Sequence, residues 1–378
     1  MKKEIARYHC QNGWLDTPVI HDANLVICFV NDKWIEQLDT HFICKQQYPT
    51  ADIMLIGSGG QIIEQNLYDD EMCIIAIKWN AVKNKGYKVD CDTFDKSFDA
   101  GANLAKNLIQ DDLKHILIFA DAQHVNGEQM IDGMYSVLPK SVSVSGGFAS
   151  DNASFKRGMN GLNANPTGQS IIGMGLYGKT LRVYCAAESG WQTFGPKRLV
   201  TKAKGNRLIE VDGQNILDLY GKYVQLEDKN TAALHALYHP IAAFSNNALE
   251  FKALRAILGI DEEEKSLIMA ANVTEGSKIQ LSHGHYQSLI KGAEAAATIL
   301  KVANRPDAFV LVVVCIARRV LLGNRTEDEL DVVKEILDKV PCIGCYSHGE
   351  IAYDDIAKIC EQHNQTMTMT AFYEELDA

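Results

Sequence analysis

The sequence predicts an α/β protein: two related α/β lobes with mixed sheets flanked by helices, and a central antiparallel meander. Three observations carry this expectation. Short apolar segments of strand character alternate with segments of helical spacing. The order of elements in one stretch of chain recurs in a second. Between the two, glycines punctuate a run of short alternating segments.

Strands are expected at Leu25–Val30, Ile53–Ile56, Met72–Trp79, Ile116–Phe119, Val142–Val144, Ile171–Tyr177, Leu181–Ala186 and Leu199–Ala203. Others follow at Arg207–Val211, Leu267–Asn272, Lys278–Leu281, Phe309–Val314, Cys342–Cys345 and Thr366–Phe372. Helical spacing marks Phe94–Gln110, Gly127–Leu138, Asn215–Tyr223, Tyr286–Val302 and Thr326–Lys339. The helices at 94 and 127 with the strands at 116 and 142 form one unit. It ends in Pro139, the second strand and Ser145-Gly146-Gly147. The helices at 286 and 326 with the strands at 309 and 342 form the other. It ends in Pro341, the second strand and Ser347-His348-Gly349-Glu350. Glu128 in the first unit, and Glu327 and Asp328 in the second, sit near helix starts, where a negative charge complements the dipole. A third, partial echo runs through Ile53-Met54-Leu55-Ile56-Gly57-Ser58-Gly59-Gly60-Gln61-Ile62. From Ile171 to Val211 the glycines suggest the meander, with Gly205-Asn206 as a hairpin turn. A polar stretch near Leu226–Thr231 suggests the boundary between the lobes.

Composition narrows the function. The chain has 378 residues, 37 Lys and Arg against 48 Asp and Glu, and a formal net charge of −11. No basic cluster suited to tracking phosphates appears, which argues against nucleic acid and anionic membrane as partners. The first ten residues are followed by no apolar run of signal-peptide type. The longest apolar run, Ala308–Ala317, is about half a bilayer crossing. The ten cysteines are scattered through apolar segments, a pattern of reduced buried thiols, so a cytoplasmic location is expected.

Four segments, in order, resemble the FIST (F-box and intracellular signal transduction) family. The first is Gly146-Gly147-Phe148-Ala149-Ser150-Asp151-Asn152. The second runs from Gly190-Trp191 through Gly195-Pro196, Val200-Thr201-Lys202-Ala203 and Asp212-Gly213 to Leu217-Asp218-Leu219-Tyr220. The third is Cys315-Ile316-Ala317-Arg318-Arg319 with Leu322-Gly323. The fourth is Gly344-Cys345-Tyr346-Ser347-His348-Gly349-Glu350-Ile351, followed by Asn364-Gln365-Thr366. The resemblance implies a FIST N-terminal domain over 22–225 and a FIST C-terminal domain over 226–360. It also implies a sensor that binds a small molecule, an amino acid among the candidates, and signals through a downstream protein. No cofactor is implied. One departure stands out: the family's Gly-Cys-Ser-Thr-x-Gly-Glu-Ile segment is here Gly57-Ser58-Gly59-Gly60-Gln61-Ile62, without the cysteine and with Gln61 for glutamate.

The candidate ligand-binding residues are Asp151, Arg318, Tyr346, Ser347, His348, Glu350 and Asn364. Loops after strand ends expose backbone amides around fixed side chains, and Glu350 there could accept from a ligand ammonium. It could equally cap a helix or loop. As a solvent-accessible site residue, Glu350 is expected to lose binding on replacement by alanine, with stability changed within about 1 kcal/mol. Arg318 or Arg319 could fork onto a ligand carboxylate or form an ion pair. In an extended segment only one of the two would face a pocket. Asp151 could reach a ligand or close an Asx turn. Tyr346, Ser347 and His348 neighbour Glu350 and could line the same pocket. The amide of Asn364 could bind a ligand or fix its loop. Trp191 suits an anchor in the core.

Rival chemistries find little support. Cys342-x-x-Cys345 has redox or zinc spacing, but residues three apart in a strand face opposite sides. Nucleophile-elbow, P-loop and dinucleotide motifs are absent from the sequence. The ligand site is expected between the lobes, at strand ends bearing Asp151, Arg318 and Glu350. The alternative function is an enzyme using the same interlobe cleft, with Cys345, His348 or Glu350 as the reacting group.

Overall fold

A computed structural model of the chain describes residues 1–152, 154–224, 236–244 and 251–375, residues 251 and 252 by backbone alone. The boundary expected at 226–231 lies outside the described residues. Three six-stranded sheets share the order of five of their strands. At the centre of each is a parallel pair: Leu25–Val30 with Asp52–Gly57, Leu113–Asp121 with Ser143–Ala149, and Phe309–Cys315 with Cys342–Ser347. Helices bridge the two strands of each pair, as parallel strands require a crossover. An antiparallel strand flanks the first member of each pair: Glu71–Lys78, Ser170–Tyr177 and Met367–Glu374. The two related units expected from element order are therefore present, and the echo at Ile53 belongs to a third sheet of the same order.

The fourth position beside each pair is filled by exchange. After its second parallel strand the chain leaves its own sheet and adds an antiparallel strand to a neighbour. Gln61–Ile63 leaves the first sheet for Cys342–Ser347, Glu350–Asp354 leaves that sheet for Ser143–Ala149, and Asn160–Leu162 leaves the latter for Asp52–Gly57. The exchange is cyclic, and the second parallel strand of each pair is covered by a neighbour's strand.

Side-chain alternation explains why three sheets fold together. Leu25, Ile27 and Phe29 face a common core with Leu117, Phe119, Phe309, Leu311 and Val313. Val26, Cys28 and Val30 face the first sheet's own helices, Ile116, Ile118 and Ala120 those of the second, and Val310, Val312 and Val314 those of the third. Because the parallel strands bury both faces, they read as continuous apolar runs rather than as alternation.

The remaining strands form an eight-stranded sheet, antiparallel throughout, in which Gln192–Lys204 pairs with Arg207–Val211 and Lys278–His283. The hairpin expected at Gly205-Asn206 is there, with Gly205 at φ 59°. The meander starts later than expected, however. Ser170–Tyr177 and Leu181–Glu188 join two of the six-stranded sheets, and their apolar alternation reflects that packing. Lys2–His9 and Lys83–Asp90 were not legible as strands. Both lie at or near sheet edges with many polar residues partly or fully exposed, so neither carries a two-sided apolar signal. The helix expected at 215–223 is shorter, Ile216–Tyr220.

Phe119 is fully buried in the shared core, with its ring 6.0 Å from that of Phe29 at an interplanar angle of 70°. Phe119→Ala is expected to cost about 3–5 kcal/mol in denaturant unfolding. The same truncation at Ile356, 95% exposed, should stay within about 0.5 kcal/mol.

Candidate functional site

The three crossover segments meet at one junction. Gly59 N–H donates to Tyr346 O (3.0 Å), Ser150 N–H to Gly57 O (2.9 Å), and His348 N–H to Phe148 O (3.2 Å). The exchanged strands begin with Gln61, Asn160 and Glu350, all fully buried. Each meets a serine hydroxyl at hydrogen-bond distance: Ser58 at 2.7 Å, Ser170 at 3.0 Å and Ser347 at 2.9 Å. Gln61 is held on both sides of its amide: its oxygen also accepts from Asn31 N–H (2.9 Å), and its nitrogen donates to Tyr68 O (2.6 Å). The glutamine that departs from the family segment thus holds together the start of an exchanged strand.

Glu350 occupies the matching position in its own strand. Its Oε1 accepts from Ser347 Oγ and its Oε2 from Thr366 N–H at 3.2 Å. Burial pushes its carboxyl well above the usual range, outweighing the Ser347 and Thr366 hydrogen bonds. The expectation of a solvent-accessible Glu350 is corrected: the residue is 0% exposed. A charged group so enclosed is costly, and a neutral carboxyl is the form that fits.

The other expected site residues divide into two groups. Asp151, Ser347, His348 and Asn364 gather with Glu350 at the junction. Asp151 accepts from Phe155, Lys156 and Arg157 N–H at 2.8–3.0 Å and from the Ser154 hydroxyl, so it gathers the loop that follows it, with donors farther along the chain than the i+2 N–H of an Asx turn. Burial alone would raise its carboxyl. The His348 contact and these hydrogen bonds outweigh it and hold the group below the usual carboxylate range. His348 Nε2 lies 3.2 Å from Asp151 Oδ1, outside hydrogen-bond geometry, and its ring stacks on Phe155 at 4.8 Å. Asn364 is 1% exposed, and its Oδ1 meets no hydrogen-bond partner among the described residues.

Arg318 and Tyr346 form the second group. Arg318 and Arg319 lie on the helix Ile316–Leu322 rather than in an extended segment. Arg318 is fully buried, and its Nε and Nη2 donate to Glu329 Oε2 at 3.0 and 2.7 Å. Nη1 reaches Ser189 O at 2.5 Å and Nη2 reaches Leu289 O at 2.8 Å. Tyr346 Oη donates to Glu329 Oε1 at 2.9 Å. This guanidinium is committed inside the fold, the ion-pair alternative. Arg319 forks onto Asp69 at 2.9 and 2.7 Å.

The large cavity, about 980 Å³, lies beside the junction. It opens where the strand Leu181–Glu188, the hairpin Glu350–Asp354/Ile359–His363 and the antiparallel sheet meet. Thr366, whose N–H Glu350 holds, forms part of its wall. Arg255 in the wall is 2% exposed and pairs with Glu128 at 2.5 Å. Its Nη1 also reaches Leu254 O and Gln362 O. Burial raises the carboxyls of Glu188 and Asp355, which also line the cavity. Of these acids only Glu128 was named from sequence, and that for its place at a helix start. They come from segments far apart in the chain, and no local spacing signals them.

Cys342 and Cys345 face different cores, as strand geometry requires. Burial pushes the Cys345 thiol well up, against the thiolate that a nucleophile needs. Trp191 packs partly buried against the cluster of Ala242, Phe244 and Leu254.

A FIST N domain model matches residues 24–214 and a FIST C domain model residues 217–353. Among curated proteins, a sesquiterpene synthase of Santalum spicatum is 38% identical over 65 residues, 17% of this chain and 11% of that protein. A probable sesquiterpene synthase of Santalum murrayanum is 35% identical over 74 residues, 18% of this chain and 13% of that protein. The chain thus spans only about a tenth of the length of these relatives. Among solved structures, cyanuric acid hydrolase of A. caulinodans aligns over 99% of both chains at 6% identity and a TM-score of 0.38.

Two substitutions test the junction. Glu350→Ala leaves the Thr366 N–H and Ser347 hydroxyl without their buried acceptor and should cost about 2–4 kcal/mol. Glu350→Gln should fold within about 1 kcal/mol of the parent, with Ser347 free to accept from the new amide. The folded pKa of Glu350 lies above its unfolded value. Its contribution is therefore full below the ordinary value of 4.5 and lost as pH rises through the folded value. Chemical denaturation from pH 4 upward should show that decline in the parent and a flatter profile in Glu350→Gln. Arg318→Ala strands the buried Glu329 carboxylate and should cost about 3–5 kcal/mol by the same measurement.

Proposed function

The chain belongs to the FIST family, and on that premise we propose that it is a sensory protein whose small-molecule ligand sits in the large cavity. The family is associated with signal transduction and small-ligand sensing. The observation that carries the reading is the cavity itself, about 980 Å³, a size suited to a small organic ligand. It is lined from both parts of the chain. Glu128 and Tyr184 fall in the segment 22–225 that we assign to the N-terminal domain. Arg255 and Tyr353 fall in the segment 226–360 that we assign to the C-terminal one.

Glu350, Ser347, His348, Asp151 and Asn364 then act from behind the wall. A ligand that favours one arrangement of the Thr366 wall changes the Glu350 contact, and through it the junction where the three sheets meet. Only such a difference in binding energy between two arrangements can carry a signal. The output passes to a downstream signalling protein. Ten buried, unbonded cysteines support a reducing, cytoplasmic setting. Among the described residues no helix is long and apolar enough to cross a membrane. The amino-acid proposal loses its anchor for a carboxylate, because Arg318 is fully engaged with Glu329.

A thermal-shift screen of amines, amino acids, organic acids and nucleotides tests the reading. A ligand at a hundredfold excess over its Kd adds about 2.7 kcal/mol of stability. Ala187→Trp places an indole in the cavity and is expected to abolish the shift while the protein remains folded. A hit whose shift persists in Ala187→Trp would move the site elsewhere.

A further inference from the structure

We propose that the ligand of this cavity is a cation, an amine with an apolar body, seated at Glu188; this rests on the cavity being the ligand site. Among the described residues, five carboxylates line the cavity: Glu128, Glu188, Asp354, Asp355 and Glu361. Against them stand His363 and one guanidinium, Arg255, which is consumed by Glu128 and by backbone carbonyls. Among the described residues the cavity therefore offers no uncommitted guanidinium to receive an anion, and their fixed charge favours a positive ligand.

Glu188 is singled out by position and by what does not touch it. A second chamber of about 570 Å³ adjoins the first, and Glu188, Ser189 and Phe244 line both. Among the described residues, no hydrogen bond or ion pair reaches the Glu188 carboxylate, although the residue is only partly exposed. Burying an ionised carboxylate without a partner is costly, and a ligand ammonium supplies the partner.

The second chamber provides an independent indication, because the protein already seats an ammonium there. Lys197 Nζ stands 3.8 Å from the centroid of the Phe244 ring. An aromatic face attracts a cation through its quadrupole, most strongly where water is excluded. The ring shared by both chambers thus holds a tethered counterpart of the group that we assign to the ligand. For the body of the ligand, Ala186, Ala187, Leu254 and Val273 provide an apolar lining, and Ile299 and Ile356 stand exposed among the lining residues.

The test uses three probes of one shape and different charge: 2-phenylethylamine, phenylalanine and 3-phenylpropionate, titrated calorimetrically into the full chain at pH 7. The amine is expected to bind at least tenfold more tightly than the other two. Glu188→Gln, a near-isosteric change at a partly exposed position, is expected to weaken the amine at least tenfold and leave the melting temperature of the free protein in place. Phenylpropionate binding as tightly as the amine, or Glu188→Gln keeping full affinity for the amine, overturns the proposal. If phenylpropionate binds and Ala187→Trp abolishes it, the cavity reading stands and only the cation assignment falls. If none of the three probes binds, both fall.

Discussion

The common core enclosed by the three six-stranded sheets is the constraint on which the rest depends. Each parallel strand pair buries one face against its own helices and the other against the neighbouring sheets. No sheet can therefore bury its inner face alone. Leu25, Ile27 and Phe29 are covered only because Leu117, Phe119, Phe309 and Val313 stand opposite. Burial of such apolar area is the dominant favourable contribution to folding. The cyclic exchange of Gln61–Ile63, Asn160–Leu162 and Glu350–Asp354 ties the same three sheets together through backbone hydrogen bonds. Packing and strand exchange thus enforce one arrangement.

The exchange also creates the polar junction. A strand that leaves one sheet for another must start where backbone and side-chain polar groups are enclosed, and such groups need partners. Gln61, Asn160 and Glu350 meet that need at three matching positions, each beside a serine. Only Glu350 of the three can ionise. Its link to Thr366 places that ionisable group directly behind the wall of the cavity. A structural requirement of the fold thereby supplies a route from ligand to core.

Much of the fold was legible because its signals are local. The continuous apolar runs at 25–30, 309–314 and 342–345 announce strands covered on both faces, and the recurring order of helices and strands announces related units. The third unit was visible only as an echo around Ile53, since a strand rather than a long helix precedes its parallel pair. Lys2–His9 and Lys83–Asp90 escaped because polar strands at or near edges lack apolar periodicity. The glycine-rich crossovers drew attention to Asp151, Ser347, His348 and Glu350, which the structure brings together, and to Tyr346, which turns instead to Glu329. The sequence could not tell that Glu350 is sealed from solvent or that Arg318 belongs to Glu329. Both facts depend on contacts from distant segments, such as Leu289 O and Thr366 N–H. Glu188, Asp355 and Glu128 meet only in three dimensions.

The most direct measurement of the account is a crystal structure of the protein with 2-(4-bromophenyl)ethylamine, read from the anomalous scattering of bromine. One bromine peak is expected within the cavity walled by the 181–188 strand and Thr366, with the ammonium at hydrogen-bond distance from Glu188. A peak outside that cavity, with Glu188 untouched, would contradict it.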